Sequence, residues 1–251
     1  MIVLFTDFGY SGPYIGQMKA VLETHAPGSC VIDLMHDAPD HNVKASSYLL
    51  AALTSEFPHN SVFLCIVDPG VGSERKPVVV KVGNQWFVGP DNGLFNTIIL
   101  FARNNNQQIE YWVIDWKPER LSSSFHGRDL FAPVAAMLER GDPVPGEAVQ
   151  ADILVSNPSS EDWPADLTEI IYIDHFGNAM TGIRGDVLTA SQSIVVNGYR
   201  FDWARTFSDV TLGEGFWTIN SNGLVEIAVN QGSAREKFDL HVGGSINIVT
   251  H

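Results

Sequence analysis

The segment Val67–Arg75 reads VDPGVGSER and directly follows an apolar run, Ser61–Ile66 (SVFLCI), which predicts a buried strand. The proline after Asp68 removes a backbone donor and ends that strand. The two glycines that follow let the chain turn tightly or approach a ligand closely. A carboxylate at the end of a strand, then a glycine loop and the cation of Arg75, is typical of ligand sites in open α/β sheets. A tight turn with a surface ion pair is the alternative, and the segment alone leaves both open.

Strands and helices alternate around this segment. Apolar strands are predicted at Ile2–Phe5 and Cys30–Leu34, with a helix opened by Pro13 and another from Asn42, as its cap, to Phe57. This alternation predicts a largely parallel sheet covered by helices. Right-handed crossovers would bring the carboxyl ends of the strands to one edge.

The chain then continues with a hairpin and a further helix. Gly83-Asn84 separates two apolar runs and predicts the hairpin turn. The helix Leu130–Arg140 follows the loop Ser124–Asp129 (SFHGRD), and Asp129 is interpreted as its cap rather than as a catalytic acid.

The composition changes between Gly141 and Ala165, where four prolines fall among Ser, Asp and Glu. We predict an α/β domain over residues 1–150, a linker over 151–165 and a smaller domain over 166–251. Helical periodicity disappears after the linker, and short strands with an Asn197-Gly198 hairpin turn replace it. The second domain is therefore predicted to be all-β, a small barrel or sandwich.

Charge and composition limit the classes of function. The net charge of −14 argues against nucleic-acid and anionic-membrane partners and is compatible with a cationic substrate. No apolar run approaches the length of a membrane span, and the first residues lack the basic region of a signal peptide. Cys30 and Cys65 lie in apolar runs, which predicts buried thiols rather than a disulfide framework or a zinc site. We expect a cytoplasmic protein.

Polar side chains follow the predicted strands of the first domain. Asp7, His36 and Asp68 would lie at its carboxyl edge, and the His126 loop would join them. No triphosphate loop, dinucleotide fingerprint, serine nucleophile elbow or zinc helix occurs. From the residues alone, a metal hydrolase using these four side chains and a metal-free carboxylate–histidine site both remain open.

Seven motifs occur in order over nearly the whole chain. They are TDFG (Thr6–Gly9), YIGQMKAVL (Tyr14–Leu22), VDPGVGSER, GPDNGLF (Gly89–Phe95), SFHGRDLFAPVAA (Ser124–Ala136), YIDHFGNAMTGI (Tyr172–Ile183) and NSNGLVEIAVNQGSA (Asn220–Ala234). Together they resemble the S-adenosyl-L-methionine hydroxide adenosyltransferase family, which is related to the fluorinating and chlorinating adenosylmethionine enzymes.

This resemblance implies an α/β domain followed by a β-barrel, in a homotrimer with active sites between subunits. The implied reaction is hydrolysis of S-adenosyl-L-methionine to adenosine and methionine, without a cofactor or a metal ion. The small-molecule substrate would be the ligand, with no nucleic acid or membrane partner. An adenosine-binding module without turnover is the alternative from another class, beside the metal hydrolase.

The resemblance also assigns roles in the first domain. Asp68, Arg75 and His126 would be the water-activating triad, and Asp7 would bind the ribose hydroxyls. The halide-using relatives lack the Asp and His of the triad, and a carboxylate here would repel a halide. Gly12-Pro13 departs from the more polar pair of many relatives, so no contact is assigned to that loop.

In the second domain, the resemblance places substrate contacts in two motifs. Phe176 and Asn178 would contact adenine, and Val229 would contribute backbone atoms. The residues expected around the methionine arm or the remaining polar contacts are Asp174, Ser221, Asn222 and Glu226.

Overall fold

The computed structural model describes residues 1–149 and 163–250. The chain forms two compact units. The first comprises Met1–Ser47 with Glu56–Trp163, and the second Tyr48–Ser55 with Pro164–His251. Residues 151–162 of the predicted linker lie outside the described residues, and the domain boundaries stay a prediction. No helix within the described ranges is long and apolar enough to cross a membrane.

The first unit contains a mixed sheet with helices. Its strands are β1 (Ile2–Thr6), β2 (Val31–Met35), β3 (Val62–Ile66), β4 (Pro77–Val82), β5 (Gln85–Pro90), β6 (Ile109–Ile114) and β7 (Gly146–Val149). The helices of this part of the chain are α1 (Tyr14–His25), α2 (Val43–Leu53), α3 (Asn96–Asn104) and α4 (Ala132–Glu139), with a π-helical turn, Gly127–Phe131, directly before α4. α2 begins in the first unit, and its residues from Tyr48 onward belong to the second. The predicted α/β character is confirmed.

The described strands of this sheet follow the order β2-β1-β3-β5-β4-β6-β7. β2, β1, β3 and β5 are parallel neighbours, whereas β4, β6 and β7 pair antiparallel. The predicted largely parallel sheet is therefore present as a mixed sheet with four parallel strands side by side. The antiparallel pair β4–β5 follows from the predicted two-residue Gly83-Asn84 turn, which can connect only antiparallel strands.

Local signals explain where the helices begin. The Asn42 side chain accepts a hydrogen bond from the Ala45 amide at 3.0 Å, which confirms the predicted cap of α2. That helix ends at Leu53, four residues before the predicted end. Asp129 lies inside the π-helical turn instead of capping α4, so this prediction was wrong. Its carboxylate instead accepts from the Ser122 amide at 2.8 Å.

Burial in the first unit follows the sheet order. Every residue of β1 and β3 is buried, as expected for central parallel strands covered on both faces. Cys65 is buried in β3, but Cys30 is exposed. The prediction for Cys30 was wrong because β2, which it precedes, is the edge strand of the sheet.

The second unit contains two antiparallel sheets. Its strands are β8 (Leu167–Ile173), β9 (Ala179–Arg184), β10 (Gln192–Val196), β11 (Tyr199–Phe201), β12 (Gly215–Ile219), β13 (Leu224–Val229) and β14 (Asn247–Thr250). The described sheets have the orders β12-β13-β9-β8 and β11-β10-β14. A short helix, α5 (Ala234–Phe238), follows β13. The predicted all-β character is confirmed by these sheets, whereas closure into a barrel stays a prediction.

Two glycine positions explain why the turn between β10 and β11 was predicted and why β9 was not. Asn197 and Gly198 have φ angles of 51° and 81°, which suits the two-residue turn that joins β10 and β11. β9 was not predicted, since Gly182 interrupts its apolar pattern. A Cβ atom at Gly182 would lie 2.6 Å from the Leu167 Cβ, so the glycine allows β8 to approach β9 closely.

A pair of glycine substitutions tests the packing between β3 and β5. A Cβ atom at Gly89 would lie 2.3 Å from the backbone oxygen of Cys65. We expect Gly89→Ala to lower the free energy of unfolding by roughly 1–3 kcal/mol. Gly16→Ala in α1, where a Cβ meets nothing within 4 Å, should raise it by roughly 0.5–1 kcal/mol. Denaturant titration measures both, and equal stability of the two variants would contradict the described packing.

Candidate active site

The guanidinium of Arg75 holds two other side chains at the carboxyl end of β3. Its Nε and Nη2 atoms donate to Asp68 Oδ2 at 3.0 and 2.6 Å, and Nε also lies 3.2 Å from Asp68 Oδ1. Nη2 donates in addition to His126 Nδ1 at 2.9 Å. The Asp68 and Arg75 side chains are only 5% and 9% exposed, so this pair is largely removed from water. The alternative considered from the sequence, a tight turn with a surface ion pair, is therefore wrong.

The contact with Arg75 fixes the proton of His126. Arg is a permanent donor, so His126 Nδ1 must present its lone pair, and in the neutral ring the proton lies on Nε2. Burial and the nearby charge of Arg75 lower the pKa of His126, against the opposing effects of Asp68 and Asp129. The ring is therefore a neutral hydrogen-bond donor at its outer nitrogen at physiological pH.

Two backbone features place these side chains. Gly72 has a φ angle of 82°, and a Cβ atom there would lie 2.9 Å from the backbone oxygen of Ser123, so the glycine loop packs closely on the His126 loop. The π-helical turn begins directly after His126 and buries Phe131 completely. The ring of Phe131 lies 5.3 Å from the Arg75 guanidinium carbon, which supports the cation from a second side.

The His126 loop is closed by a second ion pair. Arg128 Nε and Nη2 donate to the two carboxylate oxygens of Asp129 at 2.6 and 3.0 Å. This partner lowers the pKa of Asp129, so the carboxylate stays charged. Arg128 Nη1 also donates to Gln17 Oε1 at 2.8 Å, which ties the loop to α1.

Asp7 follows β1 and is only 8% exposed. Its Oδ2 atom accepts from the backbone amide of His41 at 3.1 Å. Burial raises the pKa of Asp7, while this amide and the His41 charge oppose the increase. His41 has a φ angle of 55°, an uncommon conformation for a residue with a side chain. The backbone of the His41 loop thus supplies a hydrogen-bond donor to a nearly buried carboxylate.

Asp7, Asp68 and His126 line one pocket of about 550 Å³ in the first unit. His36 does not line it: its ring is buried and contacts Thr6 Oγ1 at 2.9 Å. The four-residue metal set considered from the sequence is therefore not assembled. Within residues 1–149 and 163–250, no group of three or more His, Cys, Asp or Glu side chains is arranged to hold a metal ion.

The second unit has its own pocket, of about 820 Å³. It is lined by six of the predicted contact residues: Asp174, Phe176, Asn178, Ser221, Glu226 and Val229. Asn222 does not line it, although its amide bonds the Asn220 side chain, which does. Phe176 is 73% exposed, so its ring is available for stacking on a ligand.

Polar groups in this second pocket are held by short loops. Asp174 Oδ1 accepts from the amides of Phe176 and Asn178 at 2.9 and 2.8 Å, and Oδ2 accepts from the Asn178 side chain at 3.0 Å. Glu226 is 6% exposed and accepts one hydrogen bond, from Asn220 Nδ2 at 3.1 Å. Burial raises the pKa of Glu226, the Asn220 bond opposes this, and Asp174 adds to it.

The sequence analysis missed several residues that line the two pockets. In the first unit these include Tyr14, His41 and Phe125, and in the second Arg205 and Phe207. Tyr14 and Phe125 lie within the quoted motifs, but nothing in their spacing indicated that they would meet.

The comparisons with known proteins agree over most of the chain. The model of the SAM hydroxide adenosyltransferase N-terminal domain matches residues 2–147, and that of the C-terminal domain matches 168–247. This chain belongs to the SAM hydroxide adenosyltransferase family. The resemblance drawn from the seven motifs is confirmed.

Individual relatives carry more specific names. The chain is 35% identical to an (R)-S-adenosyl-L-methionine hydrolase of Thermus thermophilus, covering 99% of both chains. It is 34% identical to one of Salinispora arenicola, covering 97% of this chain and 95% of the relative. A fluorinase of Actinopolyspora mzabensis is 24% identical over 99% of this chain and 96% of its own. A crystal structure of an uncharacterized conserved protein from Thermotoga maritima superimposes with a TM-score of 0.85 at 33% identity, covering 99% of both chains.

Nitrogen NMR tests the proton position on His126. We expect the Nε2–H form at neutral pH, with protonation only below the ordinary histidine pKa of about 6.5, because burial and Arg75 disfavour the cation. Arg75→Gln removes the charged donor and should raise the pKa of His126. An Nδ1–H form in the wild type, or a titration midpoint above the ordinary value, would contradict the described geometry.

Proposed function

We propose that this protein hydrolyses S-adenosyl-L-methionine to adenosine and L-methionine by in-line attack of an activated water on C5′. The observation that carries the proposal is the pocket lined by Asp68 and His126, two side chains that the same Arg75 guanidinium holds by short hydrogen bonds. Relatives that are 33–35% identical and named as hydrolases of this compound support it.

The names of these relatives specify the (R) form of the substrate. A sulfonium centre is pyramidal and inverts, so adenosylmethionine exists as two epimers. We therefore propose the (R) epimer as the preferred substrate, and any assay should supply both epimers separately.

The bond changes indicate that activation of the nucleophile is the difficult part of the reaction. The water oxygen bonds to C5′ while the C5′–S bond breaks, and its electron pair leaves on sulfur to form a neutral thioether. Because this leaving group is uncharged and stable, no general acid is needed. Water is a poor nucleophile, so the enzyme must activate it and hold it in line with the C–S bond.

The hydrogen bonds suggest a division of labour within the triad. His126 Nδ1 is occupied by Arg75, so Nε2–H would donate to the water oxygen and orient it rather than take its proton. Asp68 Oδ1 has only the 3.2 Å contact with Arg75 and keeps lone pairs for the water proton. Arg75 would favour hydroxide character through its permanent charge. The proton would pass to Asp68 and then to solvent.

The remaining predicted residues would bind the rest of the substrate. Asp7 would accept hydrogen bonds from the ribose hydroxyls and thereby fix C5′. Phe176 and Asn178 would contact adenine with the backbone of Val229. The proposed polar contacts to the methionine arm and the remaining groups are Asp174, Ser221, Asn222 and Glu226.

The nucleophile site favours water over a halide. Halide binding needs a small, dry, uncharged pocket, and the nearly buried Asp68 carboxylate would repel an anion. Fluorinases are more distant relatives of this chain than the hydrolases are. A binding module without turnover would have no use for the triad, and the metal hydrolase lacks its assembled ligand set.

Several further features are part of the proposal. The homotrimer with active sites between subunits rests on the resemblance alone, closure of the second unit into a barrel on the resemblance and the strand pattern, and the cytoplasmic location on the composition and the first residues of the sequence. We also propose that the reaction needs no cofactor and no metal ion, so chelators should leave it unchanged.

Product analysis tests the proposed reaction. Purified protein and the (R) epimer of S-adenosylmethionine, in chelator-containing and halide-free buffer, should give adenosine and methionine in equal amounts, and the (S) epimer supplied separately should react more slowly. Asp68→Ala should lower the rate by about 10²–10⁴-fold, the range that a positioned proton acceptor contributes. Asp142→Ala, which breaks an exposed Asp–Arg pair with Arg140, is the matched control and should keep full activity.

Three outcomes would contradict this proposal. Full turnover in the Asp68→Ala protein would refute the triad. Bound adenosine without turnover of either epimer would favour a binding module. A requirement for chloride and a halogenated product would mean that the nucleophile is not water.

Adenosine binding tests the role of Asp7 separately from the chemistry. Asp7→Asn keeps the shape of the side chain but loses the charged acceptor, which should weaken adenosine binding about 10- to 100-fold. His126→Gln should leave adenosine affinity nearly unchanged while abolishing turnover. Calorimetry measures the adenosine affinity of both variants. Equal affinities in the Asp7→Asn and wild-type proteins would refute the ribose assignment.

A further inference from the structure

The sulfonium group of the proposed substrate carries a positive charge. The carboxylates that line the pocket of the first unit are already engaged. Asp68 is paired with Arg75. Asp7 is the other carboxylate that lines this pocket, and the proposed ribose contact would use it. Within this pocket, the groups left to contact the charge on sulfur are therefore of another kind.

Three aromatic rings line the same pocket: Phe8, Tyr14 and Phe125. Their ring centroids are 5.3–5.9 Å apart, with Tyr14 perpendicular to Phe125 at 88° and tilted by 54° from Phe8. Phe125 directly precedes His126 in the chain, so the aromatic cluster adjoins the proposed nucleophile site. Tyr14 is 50% exposed, which leaves much of its ring available to a ligand.

One ring of this cluster already binds a cation. The guanidinium carbon of Arg128 lies 5.0 Å from the Phe125 ring centroid, within the range of cation–π attraction. Since Arg128 occupies Phe125 in this way, the rings left for a ligand cation are those of Tyr14 and Phe8. Quaternary ammonium groups are bound by aromatic rings in this manner, and a sulfonium is likewise an alkylated cation without N–H donors.

We propose that Tyr14, supported by Phe8, recognises the sulfonium group of the substrate through its π face. This inference rests on the proposed function and specifies how the same site selects a charged substrate. The contact would involve the alkyl groups on sulfur, where the positive charge is spread, and not the tyrosine hydroxyl.

The reaction gives a physical reason for an aromatic ring instead of a carboxylate. The charge on sulfur declines as the C5′–S bond breaks, so a strong ion pair would stabilise the bound substrate more than the transition state and slow the reaction. A cation–π contact attracts the substrate more weakly, and the attraction ends once the neutral thioether forms.

Binding of two unreactive ligands tests this contact. S-adenosylhomocysteine is a neutral thioether, and its analogue with a protonated N-methyl tertiary amine in place of sulfur keeps a cation at that position. Tyr14→Leu should weaken the cationic ligand about three- to tenfold and leave the neutral one unchanged. Tyr14→Phe, which keeps the ring, should bind both ligands like the wild type. With the reactive substrate, Tyr14→Leu should raise KM without lowering kcat.

A second variant separates the effect of the ring's charge distribution from the effect of changed packing. Pentafluorophenylalanine at position 14 keeps the ring size but reverses its charge distribution, so it should weaken only the cationic ligand. A constant ratio of the two affinities across all variants would overturn the inference. Equal weakening of both ligands would do the same, because it would indicate a role in shape alone. Wild-type protein that binds neither ligand would overturn the proposed function as well.

Discussion

The bond between Arg75 and Asp68 is the interaction on which the first-unit site depends. Both side chains are largely removed from water, so each needs the other to offset its desolvation. Removal of one partner of such a pair typically costs about 3–5 kcal/mol, because a charge is left buried and uncompensated. The same guanidinium reaches His126 and determines which ring nitrogen carries the proton. One permanent cation thus sets the position of a carboxylate and the donor character of an imidazole.

The fold supplies the members of this site from different parts of the chain. The central strand β3 ends at the carboxylate, and a glycine loop returns the cation to it seven residues later. The π-helical turn before α4 brings in the imidazole and buries Phe131 against the guanidinium. Isolated π turns are rare and occur frequently at functional sites. Here the turn allows one short segment to supply a site residue and its packing support.

Much of this arrangement could be predicted from the sequence, because strand ends and turn residues are local signals. The apolar run before Asp68, the Asn42 cap and the Asn197-Gly198 turn all correspond to observed features. Pairings between distant segments could not be predicted in the same way. The antiparallel pairing of β6 with β4 and β7 depends on which distant strands meet, and the exposure of Cys30 depends on β2 being an edge.

The chemistry of the candidate site shows the same limit. The motifs named the residues of the proposed triad, but which of them would take the proton is not a local property of the sequence. Our proposal for the proton uses the 2.9 Å distance between Arg75 Nη2 and His126 Nδ1. Asp129 was misinterpreted because its partners, Arg128 and the Ser122 amide, outweigh a capping role.

Isotope labelling tests most directly whether water attacks C5′. The reaction would be run in water enriched in oxygen-18, and both products would be examined by mass spectrometry. Attack at C5′ predicts one labelled oxygen in adenosine, at the 5′ position, and unlabelled methionine. Adenosine without the label, or cleavage on the other side of sulfur to give methylthioadenosine and a labelled amino acid, would contradict the proposed chemistry.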